Sequence, residues 1–420
     1  MEKGEYLVGH FQEILITAIT LMFVGTVPVR SADTIKPTQI STTPKTITIE
    51  QLIQEAENEN LEAQSSLAKA YLRGDGVAKD YKEAVKWNSK GAEQGLAEAQ
   101  FNLGVAYESG EGVVRDFVLA AKWFRKAAEQ GLAQAQFNLG GLYEDGRGVT
   151  KDYTEAAKWY RKAADKGIAR AQTNLGGMYA NGKGVPIDYV EAVKWYRKAA
   201  EQGNPLAQYT LGIAYSIGQG VVKDYAAAVM WTRKAANQGY ADAQHNLGVI
   251  CENALGVPKD FKEAAKWYRK AASQGKAEAQ FNLALMYSTG RGVPEDYMEA
   301  AKWYRKAANQ GLANAQTNLG LMYANGVGVR KDYKEAAKWY RKAADQGVSV
   351  AQFNLAILYG KGAGVDGNFI DAHKWLSRAI LGADDVGLRT KFIEFLNGLE
   401  KLMTKEQLTE ARRREKTGGK

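Results

Sequence analysis

Every tryptophan in the chain falls on one lattice: Trp87, Trp123, Trp159, Trp195, Trp231, Trp267, Trp303, Trp339 and Trp375, each 36 residues from the last. The Ala-Gln pair keeps the same step, from Ala63-Gln64 through Ala99-Gln100 to Ala351-Gln352. Nine copies without an insertion or deletion mean that each copy is one structural unit stacked on an identical neighbour. A chain of 420 residues could otherwise make two or three globular domains. A repeat this strict points instead to one elongated array, with the nine indoles as structural residues of its core.

One copy, Leu96 to Gly131, shows what the unit is. Ala99, Leu103, Ala106 and Tyr107 share a face at helical spacing, which predicts a first helix over about Ala97–Ser109. Gly110-Glu111-Gly112 ends it, because Gly accepts a left-handed backbone at a helix C-terminus. Asp116 is a good N-cap for a second helix from about Phe117 to Gln130, which stops at Gly131. In six copies a Glu follows the Asp three residues later, as in Asp152/Glu155 and Asp332/Glu335, the spacing of a capping box. Gly104, Ala120, Ala127 and Ala128 leave room for close backbone approach, and Tyr107 and Trp123 fill the space between pairs. A lone pair would leave that surface wet, so both ends of the array need closing. Ile49 to Ala56, introduced by Thr48, reads as a lone second helix at the start. Val386 to Leu402 and Lys405 to Arg414, the latter with Thr404 and Gln407 in capping-box register, read as two closing helices.

The pattern A-Q-x-N-L-G-x-x-Y-x-x-G-x-G-V-x-x-D-Y-x-E-A-x-x-W-x-x-K-A-A-x-Q-G resembles the Sel-one-like repeat (SLR), a branch of the tetratricopeptide superfamily. The resemblance implies an all-α fold, a right-handed α/α superhelix, that works as an adaptor for protein complexes. One copy departs from it: Cys251 replaces the Tyr and Ala254 the first loop Gly. A locally distorted turn and a change in superhelix curvature are expected there. The expected organisation is a signal peptide or membrane anchor over residues 1–31 and a Ser/Thr/Pro linker over 32–47. The repeat solenoid follows over 48–382, then closing helices over 383–414 and a basic disordered tail over 415–420.

The leader is read from Ile14 to Val29, 16 residues without a charge, followed by Pro-, Ser- and Thr-rich sequence. Glu2, Glu5 and Glu13 outnumber Lys3 in the segment before it, against the usual pattern of an export signal. Export to the periplasm or medium, or membrane anchoring, is the expectation, with a cytoplasmic location as the alternative.

Composition removes several functions. One cysteine, Cys251, excludes an intramolecular disulfide. His10, His245 and His373 are too few and too scattered for a metal site, and no cofactor is expected. The net charge is +9, but the last ten residues supply +4 of it, so no nucleic-acid partner is expected. The G-x-G loops follow helices rather than strands and lack the rest of a nucleotide-binding motif. A cysteine-rich branch of the family has been linked to penicillin-type ligands. Ser66/Lys69 and Ser273/Lys276 fit S-x-x-K, and Lys416-Thr417-Gly418 fits K-T-G, but S-D-N is missing and no context fits. The expectation is a non-enzymatic protein, monomeric or weakly oligomeric.

Two surfaces could carry binding. The run K-W-Y-R-K, as in Lys158, Arg161 and Lys162, would become a basic stripe suited to an acidic polymer or an envelope surface. Glu155 and Asp165 lie at pairing distance along the same helix, so a self-neutralised, solvated face is the favoured reading. The other surface follows the Ala-Gln pair: Phe101, Phe137, Thr173, Tyr209, His245, Phe281, Thr317 and Phe353, a column whose identity varies while its neighbours stay fixed. In the superhelix that the resemblance implies, first helices line the concave face. The column would be an aromatic groove with a polar edge from Asn102, Asn138, Asn174, Asn246, Asn282, Asn318 and Asn354, suited to an extended peptide or a helix. The competing reading is that the column packs on adjacent helices and the Asn ladder bonds between repeats.

Overall fold

The computed structural model describes residues 48–417. The leader over 1–31 and the linker over 32–47 lie outside the described residues. So does Gly418 of the K-T-G motif. Among the described residues there are 21 helices and no strand. The described chain divides into two compact units, the boundary falling after Lys223.

The first unit opens on α1 (Ile49–Glu57), whose capping box is complete: Thr48 and Gln51 exchange side-chain and backbone bonds. Helix pairs follow from α2 (Leu61–Arg73) and α3 (Tyr81–Glu93) to α10 (Pro205–Ile217). The second unit runs from α11 (Tyr225–Asn237) through the ninth pair, α18 (Ser349–Lys361) and α19 (Phe369–Leu381). It closes on α20 (Val386–Glu400) and α21 (Lys405–Thr417). The fold is an all-α solenoid of tandem repeats, each pair two helices of 13 residues. The basic tail expected from residue 415 is helical up to Thr417, because Glu415 finds partners on α19.

Local sequence explains the unit's regularity. Asp116 accepts from the backbone N–H of Val118 and Leu119 at 2.8 and 3.0 Å, satisfying donors the second helix leaves open. The reciprocal half of the expected capping box does not form at these Asp caps. The cap's own N–H already donates to a carbonyl of the preceding helix, as Asp116 does to that of Tyr107 at 2.9 Å. Glu155 is therefore free to turn outward to Lys158 at 2.6 Å.

The two loop glycines do different jobs. Gly146 ends its helix in left-handed backbone, φ +73°. Gly148 lies so close to the preceding pair's second helix that a Cβ would sit 2.0 Å from the Phe117 carbonyl oxygen. The motif thus ends a helix and fits one repeat against the last. Ala254 stands where the other copies carry the first Gly, and the expected distorted turn is not seen. Ala254 itself adopts the left-handed conformation, φ 59°, at a cost of about 1 kcal/mol, and the turn is kept.

The core is a wall of small and aromatic residues. Tyr160, Tyr268 and Phe124, each directly after the lattice tryptophan, are among the largest fully buried side chains. Full burial of such a ring stabilises by on the order of 4–6 kcal/mol before entropy is counted. The space over Gly104 is filled by a side chain rather than by backbone: a Cβ there would meet the Phe124 ring at 2.6 Å. Trp159 and Trp195 share one core cluster across neighbouring repeats, whereas Trp123 and Trp303 are half-buried.

Candidate partner-binding face

Repeats adhere through a lattice of neutral hydrogen bonds. Gln100 donates to the Ala92 carbonyl of the preceding pair at 3.1 Å and accepts from Gln130 at 2.8 Å. Gln130 donates as well to the Gly95 carbonyl at 2.9 Å. The same rung recurs at Gln274/Gln244, Gln310/Gln280 and Gln346/Gln316, each 2.8 Å. It breaks twice among the described residues. Lys166 replaces the second-helix Gln and bonds only the Gly131 carbonyl, and Gly382 replaces it after α19. Gln136 Oε1 and Gln352 Oε1 are the two glutamine oxygens left buried without a partner. A second ladder joins six second-helix Arg side chains to the Tyr hydroxyl of the next first helix, as Arg197 to Tyr215 at 2.8 Å and Arg269 to Tyr287 at 2.9 Å. Arg233 meets Cys251 at that place, and burial pushes the thiol up from its ordinary value.

The aromatic column turns largely inward. Tyr209, His245 and Phe281 are each 8% exposed, and Thr173 and Thr317 are buried too. Phe101 lies against Phe124 and Phe137 against Tyr160, both at 5.7 Å between ring centroids. Phe281 lies against Tyr304 at 5.6 Å. Phe353 is covered by Phe392 and Phe395 of α20 at 4.6 and 4.8 Å. That leaves Phe101 and Phe137, both half-buried, as the column's aromatics with surface to offer.

The asparagines mostly bond between repeats. Asn102 donates to Asn88 at 3.3 Å, and Asn174, Asn282 and Asn318 hold the hydroxyls of Tyr160, Tyr268 and Tyr304. Asn246 is also engaged. Asn138 and Asn354 have no hydrogen-bond partner among the described residues. For Asn138 the reason is visible in the sequence: Phe124 stands where the lattice usually carries Tyr, so there is no hydroxyl to hold. Phe101, Phe137 and Asn138, all in the first unit, are where an aromatic of the column and an unpartnered amide of its polar edge occur together, whereas Asn354 stands beside the covered Phe353.

The second-helix face is charged and partly paired. Lys86, Lys158, Lys194, Lys266, Lys302 and Lys338 each meet a Glu one turn earlier, at 2.6–3.5 Å. The next lysine lies over the tryptophan ring, as Lys162 over Trp159 at 3.9 Å and Lys198 over Trp195 at 4.1 Å. An open cleft of about 410 Å³ on this side is walled by Glu191, Lys194 and Lys198 around Val190, Val193 and Trp195, so it belongs to the same paired face.

The serines of the S-x-x-K matches are not paired with their lysines. Lys69 binds Glu98 at 2.6 Å and Lys276 binds Asp242 at 2.7 Å, while the Ser273 hydroxyl donates to the Lys270 carbonyl. No cluster of three metal-ligating side chains occurs among the described residues, and no helix there is long and apolar enough to cross a membrane.

The Sel1 repeat family model matches nine consecutive segments, residues 61–96, 97–132, 133–168, 169–204, 205–240, 241–276, 277–312, 313–348 and 349–384. Each begins at the start of a first helix. Among solved structures, the chain is similar to a protective antigen of uropathogenic Escherichia coli that displays an SLR fold. The identity is 34% over 87% of this chain and 93% of that one, with a TM-score of 0.53. It is also similar to a Sel1 repeat protein from Oxalobacter formigenes, 34% identical over 78% of this chain and 98% of that one, with a TM-score of 0.60. No curated protein matches the chain.

Proposed function

The chain belongs to the Sel1 repeat family, whose members generally mediate protein–protein interaction, and from that premise we propose that it is a non-enzymatic scaffold that grips a partner polypeptide on its first-helix face. The observation that carries this reading is the group Phe101, Phe137 and Asn138. Two half-buried aromatics and a side-chain amide without a partner combine apolar anchors with a donor and acceptor for a guest's backbone. In an α/α superhelix this is the concave side. The paired lysines argue against the rival reading, an envelope element that holds acidic polymer through a basic stripe, because exposed pairs this close leave little net field.

Affinity capture with the full chain, set against a Phe137→Ala/Asn138→Ala variant, tests the proposal. Loss of the captured protein at constant salt supports it. Capture that survives the double variant and collapses as salt rises from about 0.05 to 0.5 M would favour the basic face. Turnover of a small substrate by the purified protein would overturn the scaffold reading altogether. We further propose that the work is done outside the cytoplasm or at a membrane, on the strength of the apolar run Ile14–Val29; fractionation of the native protein tests it.

A further inference from the structure

We propose that α20 and α21 form a latch over the ninth repeat, shut while His373 carries both ring protons and loosened when one of them leaves. His373 is 2% exposed and stands where the other repeats carry Ala or Val, as at Ala337 and Val193. Its Nε2 lies 3.0 Å from Glu400 Oε1 of α20, within hydrogen-bond geometry. Its Nδ1 lies 3.0 Å from Glu415 Oε1 of α21, an ion-pair distance at an angle too oblique for a directed hydrogen bond. One imidazole therefore ties two helices to α19.

A neutral imidazole has one N–H and one lone pair, so whichever nitrogen is bare would turn that lone pair toward a carboxylate oxygen. Only the imidazolium is attracted to both. The remaining charges around it do not change this sign. From α21, Arg412 reaches Glu400 at 3.3 Å, and Arg414 lies 3.8 Å from Asp371 of α19. On α19, Asp371 also accepts from Asn368 at 2.9 Å, Arg378 lies over the Trp375 ring, and Ser377 donates to Glu415. Lys374, beside His373 in sequence, lies over the Trp375 ring at 5.9 Å. The only charged residue of α18 is Lys361, exposed at its last position. His373 and Arg412 hold the Glu400 carboxyl below the usual carboxylate range. Both ion pairs are thus complete only while both ring nitrogens carry protons, and one is lost when the imidazole gives a proton to water.

Opening has a defined consequence. Phe392 and Phe395 lift off Phe353, and Phe392 and Leu388 leave the apolar cluster they share with Ala379 and Ile380, so the end of the solenoid is bared. The latch stands whether or not the first-helix face binds a guest.

Hydrogen exchange of the full chain, read by mass spectrometry from about pH 5.5 to 8 and corrected for intrinsic exchange, tests it. Opening of peptides covering α20 and α21 should rise roughly tenfold or more across that range, while residues 277–289 hold steady. His373→Gln, uncharged at every pH, should abolish the rise whether its closing helices end up more protected or less. The other described histidine does not interfere: burial drives His245 down to about 4, so it stays neutral throughout. A flat wild-type profile, or the same rise in His373→Gln, overturns the proposal.

Discussion

The two buried histidines among the described residues sit in regions held together by different forces. His245 belongs to an interior junction. Its ring lies against Tyr268 at 5.7 Å, and its Nε2 lies 3.2 Å from the Asn282 amide nitrogen, which can only donate. The imidazole there is a neutral acceptor, one more member of the uncharged lattice of Gln, Asn, Tyr and backbone carbonyls. His373 belongs to the closure, where the Gln rung is missing, Gln352 Oε1 is bare and carboxylates face both ring nitrogens. The difference teaches that the buried junctions between repeats are neutral and geometric, with ion pairs such as Lys69–Glu98 and Arg161–Glu191 only at their exposed edges, whereas the end of the array is fastened by charge at a buried imidazole. A neutral lattice can be copied nine times without accumulating charge, while an end piece has no successor to provide its rung.

The sharpest way to break the interior is to spoil its fit. Gly292→Ala would place a Cβ 2.0 Å from the Phe261 carbonyl oxygen at φ +71°, and should cost about 4 kcal/mol in urea unfolding followed by tryptophan fluorescence. Gly311→Ala, at φ +94° with nothing within 4 Å, should cost only about 1 kcal/mol, which separates fit from backbone conformation.

Next comes acid. The folded value of His245 is about 4, below its ordinary value of 6.5, so the stability tied to its neutral form is complete above about pH 6.5 and lost as pH falls toward 4. The loss should be on the order of 3 kcal/mol, and His245→Phe should remove it in stability measured across that range. The closure moves in the opposite direction with pH.

A smaller effect sharpens the comparison of rungs. Gln316→Ala, which removes one bond from Gln346 and one from the Ala308 carbonyl, should destabilise by about 2 kcal/mol. Gln352→Ala should cost about half as much, because its oxygen is already unpartnered. Lys166→Gln should restore the broken rung on Gln136 and add about 1 kcal/mol. Ala254→Gly, by relieving its left-handed strain, should add slightly less; both are readable as shifts in urea midpoint.

Much of the fold could be read before the structure, and for a physical reason. A Trp lattice with no slippage, an Asp N-cap and a Gly-x-Gly stop specify a helix pair from local chemistry alone. The closing helices were legible from Thr404/Gln407, whose box forms at 2.9 and 3.2 Å. What stayed hidden depends on which neighbour arrives first at a given atom. The six Asp/Glu spacings look like capping boxes, yet a carbonyl of the preceding helix, of Tyr in five and of Cys251 in the sixth, takes the N–H the box would need. The Gln of the Ala-Gln pair was visible as a lattice mark without its role, because the rung requires a second Gln 30 residues on, at the end of the other helix. The aromatic column was legible as a surface at helical spacing. That its rings pack against Phe124, Tyr160, Tyr268 and Tyr304 could have been suspected from one signal, the large aromatic following six of the nine lattice tryptophans. Asn138 stands out only once Phe124 is seen to lack the hydroxyl its counterparts carry.

The central claim is that neutral contacts hold the interior together and leave the first-helix face of the early repeats for a partner. The most direct measurement is a hydrogen-exchange footprint of the full chain with and without its captured protein. The account predicts new protection confined to residues 97–109 and 133–145, unchanged between low and moderate salt. Protection falling instead on residues 117–129 and 153–165, and fading as salt is added, would contradict it.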